Sequence, residues 1–160
     1  MATNNAINQK GPTPAFTVWL NTSLTNQTGS GGGVLWSWDA VDLNIGSGIS
    51  TSFFYAPIAG VYLFAYEVFF VGFTGGATTF YCNLIANGAG RNWMSTTANV
   101  VNIGENNLVS CSQTLVVPAA AGDRFYINAV ASGGTATVGI QGNVGGSPMT
   151  YWSGCWLAPI

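Results

Sequence analysis

Gly60-Val-Tyr-Leu-Phe-Ala-Tyr-Glu-Val-Phe-Phe-Val71 is the longest apolar run in the chain. Within it Tyr62, Phe64, Tyr66, Val68 and Phe70 alternate with Val61, Leu63, Ala65, Glu67 and Phe69. A period of two puts these two sets on opposite faces of a β-strand. Both sets are largely apolar, so both faces are expected to be covered. One face of a sandwich strand meets the core, and the other meets water unless another chain covers it. The run also carries Glu67 and is far shorter than the ~20 residues of a membrane-crossing helix.

Strand signals recur on either side. Phe16-Thr-Val-Trp-Leu20 alternates, Val34 to Trp38 and Ser52 to Ala56 are short candidates, and Pro57 with Ala59-Gly60 breaks the chain before the long run. Downstream candidates are Thr78 to Ala86, Trp93 to Asn102, Asn107 to Val117, Asp123 to Ala131, Thr135 to Ile140 and Tyr151 to Leu157. Glycine-rich turns separate them, with Asn87-Gly88 the strongest hairpin signal. Asn21 to Gly33 and Asp39 to Ser50 read as loops. No segment shows helix caps or a 3.6-residue period. About ten short strands without a helix predict an antiparallel sandwich or jelly roll.

The composition narrows the function. Of 160 residues only 5% are charged, with 3 basic and 5 acidic side chains and no histidine. Three cations cannot build a phosphate-binding patch, so nucleic acid is not an expected partner. Histidine catalysis and histidine metal sites are excluded, no Gly-x-Ser-x-Gly elbow occurs, and the chain is expected not to be an enzyme. Hydrophobic residues make up 48% and aromatics 13%, which argues for a packed core and against disorder. One domain is expected over residues 15–160, preceded by a polar arm at 1–14 that ends in Gly11-Pro12-Thr13-Pro14.

No apolar h-region opens the chain, so no signal peptide is visible, and membrane insertion is not expected. Two glycosylation patterns, Asn21-Thr22-Ser23 and Asn26-Gln27-Thr28, carry little weight without one. Cys82, Cys111 and Cys155 form no Cys-x-x-Cys motif. They read as buried reduced thiols. One pair among them can be bridged, and the sequence does not choose which.

Several segments resemble the globular C1q domain family, within the C1q/tumour-necrosis-factor-like jelly rolls. Trp38, Asn44, Ile49 and Phe54, followed by Gly60-Val-Tyr62-Leu-Phe64-Ala-Tyr66, are similar to the family signature. Pro14-Ala-Phe16-Thr-Val looks like its opening strand, Asn87-Gly88 its mid-domain hairpin and Gly122-Asp-Arg-Phe-Tyr-Ile127 its Gly-Asp segment. Trp152-Ser-Gly-Cys-Trp156-Leu-Ala-Pro159 looks like its terminal strand. The resemblance spans residues 14–159. Trp38 where Phe is usual, the non-aromatic Ile49 and a shortened segment before Phe54 set the chain apart from the secreted animal branch. They suggest a divergent bacterial, viral or phage version.

The resemblance implies a ten-stranded jelly roll that assembles as a homotrimer and recognises other molecules through its apex and loops. It implies that Phe16, Tyr62, Phe64, Tyr66, Phe125, Trp152 and Trp156 serve the trimer interface or the core. Candidate ligand-loop residues are Arg91, Asn92 and Trp93, which suit a surface glycan or protein held by ring stacking and amide bonds. Asp39, Asp42 and Asn44 supply oxygens within six residues and form a weak candidate for calcium, against ordinary loop capping. No other cofactor is expected. Glu67 calls for a partner, with Arg91 or Arg124 as candidates, or for access to water. The expected function is a trimeric recognition or fibre-capping module on an extracellular or virion surface. The alternative is a structural virion or surface-layer protein without a soluble ligand.

Overall fold

The computed structural model describes residues 11–46, 48–73, 76–86, 90–97, 108–135 and 137–160, with backbone only at 94–97. The hairpin turn at Asn87-Gly88 and most of the N-terminal arm lie outside the described residues. Twelve strands are present among those described: β1 Ala15–Trp19, β2 Leu24–Thr28, β3 Gly33–Val34, β4 Ala40–Ile45, β5 Phe54–Tyr55 and β6 Gly60–Val71, then β7 Thr79–Ala86, β8 Arg91–Thr97, β9 Val109–Ala119, β10 Arg124–Ser132, β11 Val138–Ile140 and β12 Tyr151–Ala158.

The strands form an all-antiparallel sandwich of two sheets. The seven-stranded sheet runs β2-β11-β6-β12-β1-β4, with β9 on the other side of β6. The five-stranded sheet runs β3-β10-β7-β8, with β5 also on β10. The long β6 serves two partners on one edge, taking β12 from Val61 to Glu67 and β11 at Phe70 and Val71. β10 is shared in the same way by β5 at Arg124–Phe125 and β3 at Ala129–Val130.

The two strands beyond the ten expected from sequence are β2 and β4, both inside segments that read as loops. The reason is physical. β2 and β4 lie at the ends of the seven-stranded sheet and are mostly exposed, so backbone pairing holds them without an alternating apolar face.

One face of β6 builds the core. Tyr62, Phe64, Tyr66, Val68 and Phe70 are all buried against the five-stranded sheet's Phe80, Leu84, Phe125 and Ile127. At the centre Phe16 stacks on Phe54 at 4.7 Å, meets Trp152 edge-on at 4.8 Å, and Phe64 lies 4.9 Å from Phe125. Burying each such ring contributes about 1.5–3 kcal/mol. Gly154 is fixed by this packing, because a Cβ there would stand 2.6 Å from Phe16 and 2.7 Å from Phe64. Gly60 is fixed likewise by the Trp156 indole and the Ala158 carbonyl.

Candidate interaction surfaces

The aromatic residues proposed from sequence divide between the core and its rim. Phe16, Tyr62, Phe64, Tyr66, Phe125 and Trp152 are buried within the chain itself, so they face the opposite sheet and no interface. Trp156 is half-buried at the end of β12, and its indole N–H donates to the Ala59 carbonyl at 3.3 Å. Within the single chain the second sheet covers one face of the 60–71 strand.

The other face is open. Across the seven-stranded sheet, Ile45, Ala15, Cys155, Leu63 and Val116 form one row, and Leu43, Thr17, Ser153, Ala65 and Thr114 form the next. Val116 is 62% exposed at one end of these rows, and Leu43 and Ile45 are exposed at the other. A groove of about 210 Å³ runs between Ala15, Thr17, Leu43, Leu63, Ala65 and Cys155. The third row holds Trp19, Tyr151 and Glu67. Tyr151 stands directly opposite Glu67. Glu67 thus has a phenol as its cross-strand neighbour, where the sequence called for an arginine or access to water. Desolvation and then the Glu67 charge raise the Tyr151 hydroxyl above its ordinary pKa.

On the five-stranded sheet the outer face presents a second pattern. Asn92, Ile85 and Tyr126 stand side by side in register across β8, β7 and β10. Tyr126 meets Phe53 edge-on at 5.7 Å, Phe53 lies 6.2 Å from Tyr55, and Tyr55 is 42% exposed. The Arg124 guanidinium lies 4.6 Å over the Phe53 ring. Sequence reading passed over this group. The signal was available in Phe53 and Tyr55 alternating with Phe54, and in Tyr126 alternating with Phe125.

Arg91, Asn92 and Trp93 do not form one site. Arg91 lies 5.4 Å over the Trp93 ring, and its Nη2 donates to the Pro118 carbonyl at 3.2 Å. Trp93 packs against the core. Asn92 alone of the three faces outward with Tyr126.

The acidic loop residues are engaged by the chain's own donors. Asp39 accepts the backbone N–H groups of Asn21 at 2.5 Å and Thr22 at 3.0 Å. Burial works against its ionisation, but these bonds outweigh it and lower its pKa. Asp42 accepts the Trp19 indole N–H at 3.0 Å, and Asn44 is paired opposite Phe16. No cluster of three or more Cys, Asp or Glu side chains suited to a metal ion exists among the described residues. Asp123 closes a turn, its carboxylate accepting the Ala120 N–H at 2.9 Å before β10 begins.

No family model matches the chain, and no curated protein matches it. Solved structures do. The globular domain of zebrafish complement 1qA aligns with a TM-score of 0.64 at 14% identity, covering 92% of this chain and 99% of that one. The fold is the C1q/TNF-like jelly roll. Eiger TNF from S. frugiperda aligns with a TM-score of 0.62 at 14% identity, over 93% of this chain and 95% of that one. Murine APRIL aligns with a TM-score of 0.61 at 15% identity, over 91% and 100%.

Proposed function

We propose that the chain is a non-enzymatic recognition or fibre-capping module that works as a homotrimer on an extracellular or virion surface. The observation that carries this reading is the outer face of the seven-stranded sheet. Its rows are uncharged from Ile45 to Val116, its groove is apolar, and the carboxylates beside it are met within the chain, Glu67 facing Tyr151 and Asp42 accepting the Trp19 indole N–H. A contiguous apolar face of this kind is characteristic of an interface between subunits. Likeness to complement 1qA and TNF structures supports the same reading at the level of the fold.

Packing through that face leaves the five-stranded sheet outward. There the row of Asn92, Ile85 and Tyr126, extended by Phe53 and Tyr55, supplies ring faces and an amide. This is the chemistry that holds a neutral glycan, by stacking and amide hydrogen bonds. Of Arg91, Asn92 and Trp93, Asn92 belongs to this row.

Light scattering coupled to size exclusion tests the assembly. Subunits of 16.6 kDa give a trimer of about 50 kDa. Val116→Lys is expected to yield a folded monomer, because a charge enters the face without touching the core. Tyr126→Ala is expected to leave the trimer intact and abolish retention on the glycan array bound by the parent. A monomeric parent protein overturns the assembly. A trimer that binds no glycan or protein overturns recognition and leaves the structural capping role.

A further inference from the structure

Two of the three cysteines meet inside the sandwich. Cys82 lies on β7 in one sheet and Cys111 on β9 in the other. Both point into the core, at 0% and 2% exposure. Cys82 is paired across its sheet with Ala129 and Cys111 with Val68, both buried. Each belongs to the same buried cluster, and Cys111 lies near enough to add to the burial that raises the Cys82 thiol pKa. The Tyr66 hydroxyl closes over them, 2.9 Å from Gln113 Oε1 and 3.3 Å from the Cys82 carbonyl. Cys155 is far from this pair in the fold, on the outward row with Ala15 and Leu63. All three cysteines are unbridged in this structure.

We propose that Cys82 and Cys111 are the site of a cystine cross-link that clamps the two sheets together when the chain folds in the presence of a low-molecular-weight disulfide. Both thiols point into the same core from facing sheets, and bond formation needs their sulfurs to close to about 2 Å with the Cβ atoms about 4 Å apart. Neighbouring side chains on facing sheets are suited to that approach. The chemistry is two exchanges. One thiol loses its proton and attacks oxidised glutathione, forming a mixed disulfide and releasing one glutathione thiolate. The second thiol loses its proton and attacks the protein sulfur of that mixed disulfide, releasing the second glutathione thiolate. Two protein thiols are oxidised and one glutathione disulfide is reduced.

The site also sets when this happens. Burial, first, and then the neighbouring Cys111 push the Cys82 thiol pKa well above its ordinary value, which suppresses the attacking thiolate in the folded chain. The bond therefore forms during folding and is slow to form or break afterwards.

The test uses the Cys155→Ser chain, refolded from denaturant either with a reduced/oxidised glutathione mixture or with reductant alone. With the mixture, the expected product is lighter by two hydrogens and has no alkylatable thiol after denaturation. Its non-reducing digest contains a Cys82–Cys111 peptide pair. Because the bond closes a loop of about 30 residues, its melting temperature is expected to exceed the reduced form's by about 5–10 °C. Cys82→Ala in the same background is expected to stop at the singly glutathionylated or free-thiol state. Two titratable thiols in a chain that has refolded with the mixture would overturn the proposal. So would a stable mixed disulfide that does not proceed to the cystine.

Discussion

Tyr151 stands directly across from Glu67 on the outer face of the seven-stranded sheet, and burial and then the Glu67 charge raise its pKa. The pairing gives Glu67 a polar neighbour beside an apolar groove. It also ties that face to pH. The folded-state pKa of Tyr151 is raised, so its contribution to stability is fully present below the unfolded value near 10 and is lost as pH rises through the folded value. Tyr62 and Tyr66 are raised too, by burial first, and lose stability in the same alkaline window. Denaturant midpoints measured from pH 8 to 12 are expected to fall above about pH 10. In Glu67→Gln, the tyrosine absorbance titration is expected to show one phenol ionising at lower pH.

Asp39 works in the opposite direction. Its folded pKa is lowered, so its contribution is present above the unfolded value near 4 and is lost as pH falls through the folded value. Asp39→Ala is expected to free the backbone at Asn21 and Thr22, at a cost held to about 1 kcal/mol by solvent exposure. Amide exchange at those two positions, faster in the variant than in the parent, is the direct readout.

The two faces of the seven-stranded sheet predict opposite outcomes for charge. Tyr62→Asp or Tyr66→Asp places a carboxylate in the core and is expected to prevent folding, seen as loss of near-ultraviolet circular dichroism. Val116→Lys is expected to preserve that spectrum. A folded Tyr62→Asp chain would contradict the packing described above.

Three buried indoles, Trp36, Trp38 and Trp152, have N–H groups without a hydrogen-bond partner among the described residues. Trp36 meets Trp38 at 5.3 Å, and Trp38 lies 6.2 Å from Trp152. Trp38→Phe removes an unbonded donor along with part of a ring. It is expected to cost less than about 1.5 kcal/mol, against about 3–5 kcal/mol for Trp38→Ala. Urea unfolding of both variants measures the difference, and equal losses would show that the indole N–H is satisfied.

Gly154 packs against Phe16 and Phe64 with no room for a methyl group. Gly154→Ala is expected to destabilise by about 1–3 kcal/mol through overpacking, with the thermal midpoint as readout.

The core was legible in sequence because alternation is a local property. Tyr62, Phe64 and Tyr66 declare one face of one strand, and Phe125 and Ile127 declare the face that meets it. The edge strands β2 and β4 were not legible, because backbone pairing with β11 and β1 holds them and exposed side chains carry no period. The outward aromatic group of the five-stranded sheet was legible only in part. Asn92 was in view, but its neighbours Tyr126 and Phe53 lie more than thirty residues away along the chain. Trp93 read as a stacking ring or as a core residue, and only the fold shows it packed against the core with Arg91 over it.

By itself the sequence determined an all-β sandwich with an aromatic core and a surface nearly free of charge, since period-two patterning and composition act residue by residue. Only the tertiary structure decided which face of β6 is buried, because both faces are apolar and the choice depends on which one the second sheet covers. Only the tertiary structure brought Glu67 to Tyr151 and Cys82 to Cys111, because those contacts exist between strands whose register and layer no single strand encodes.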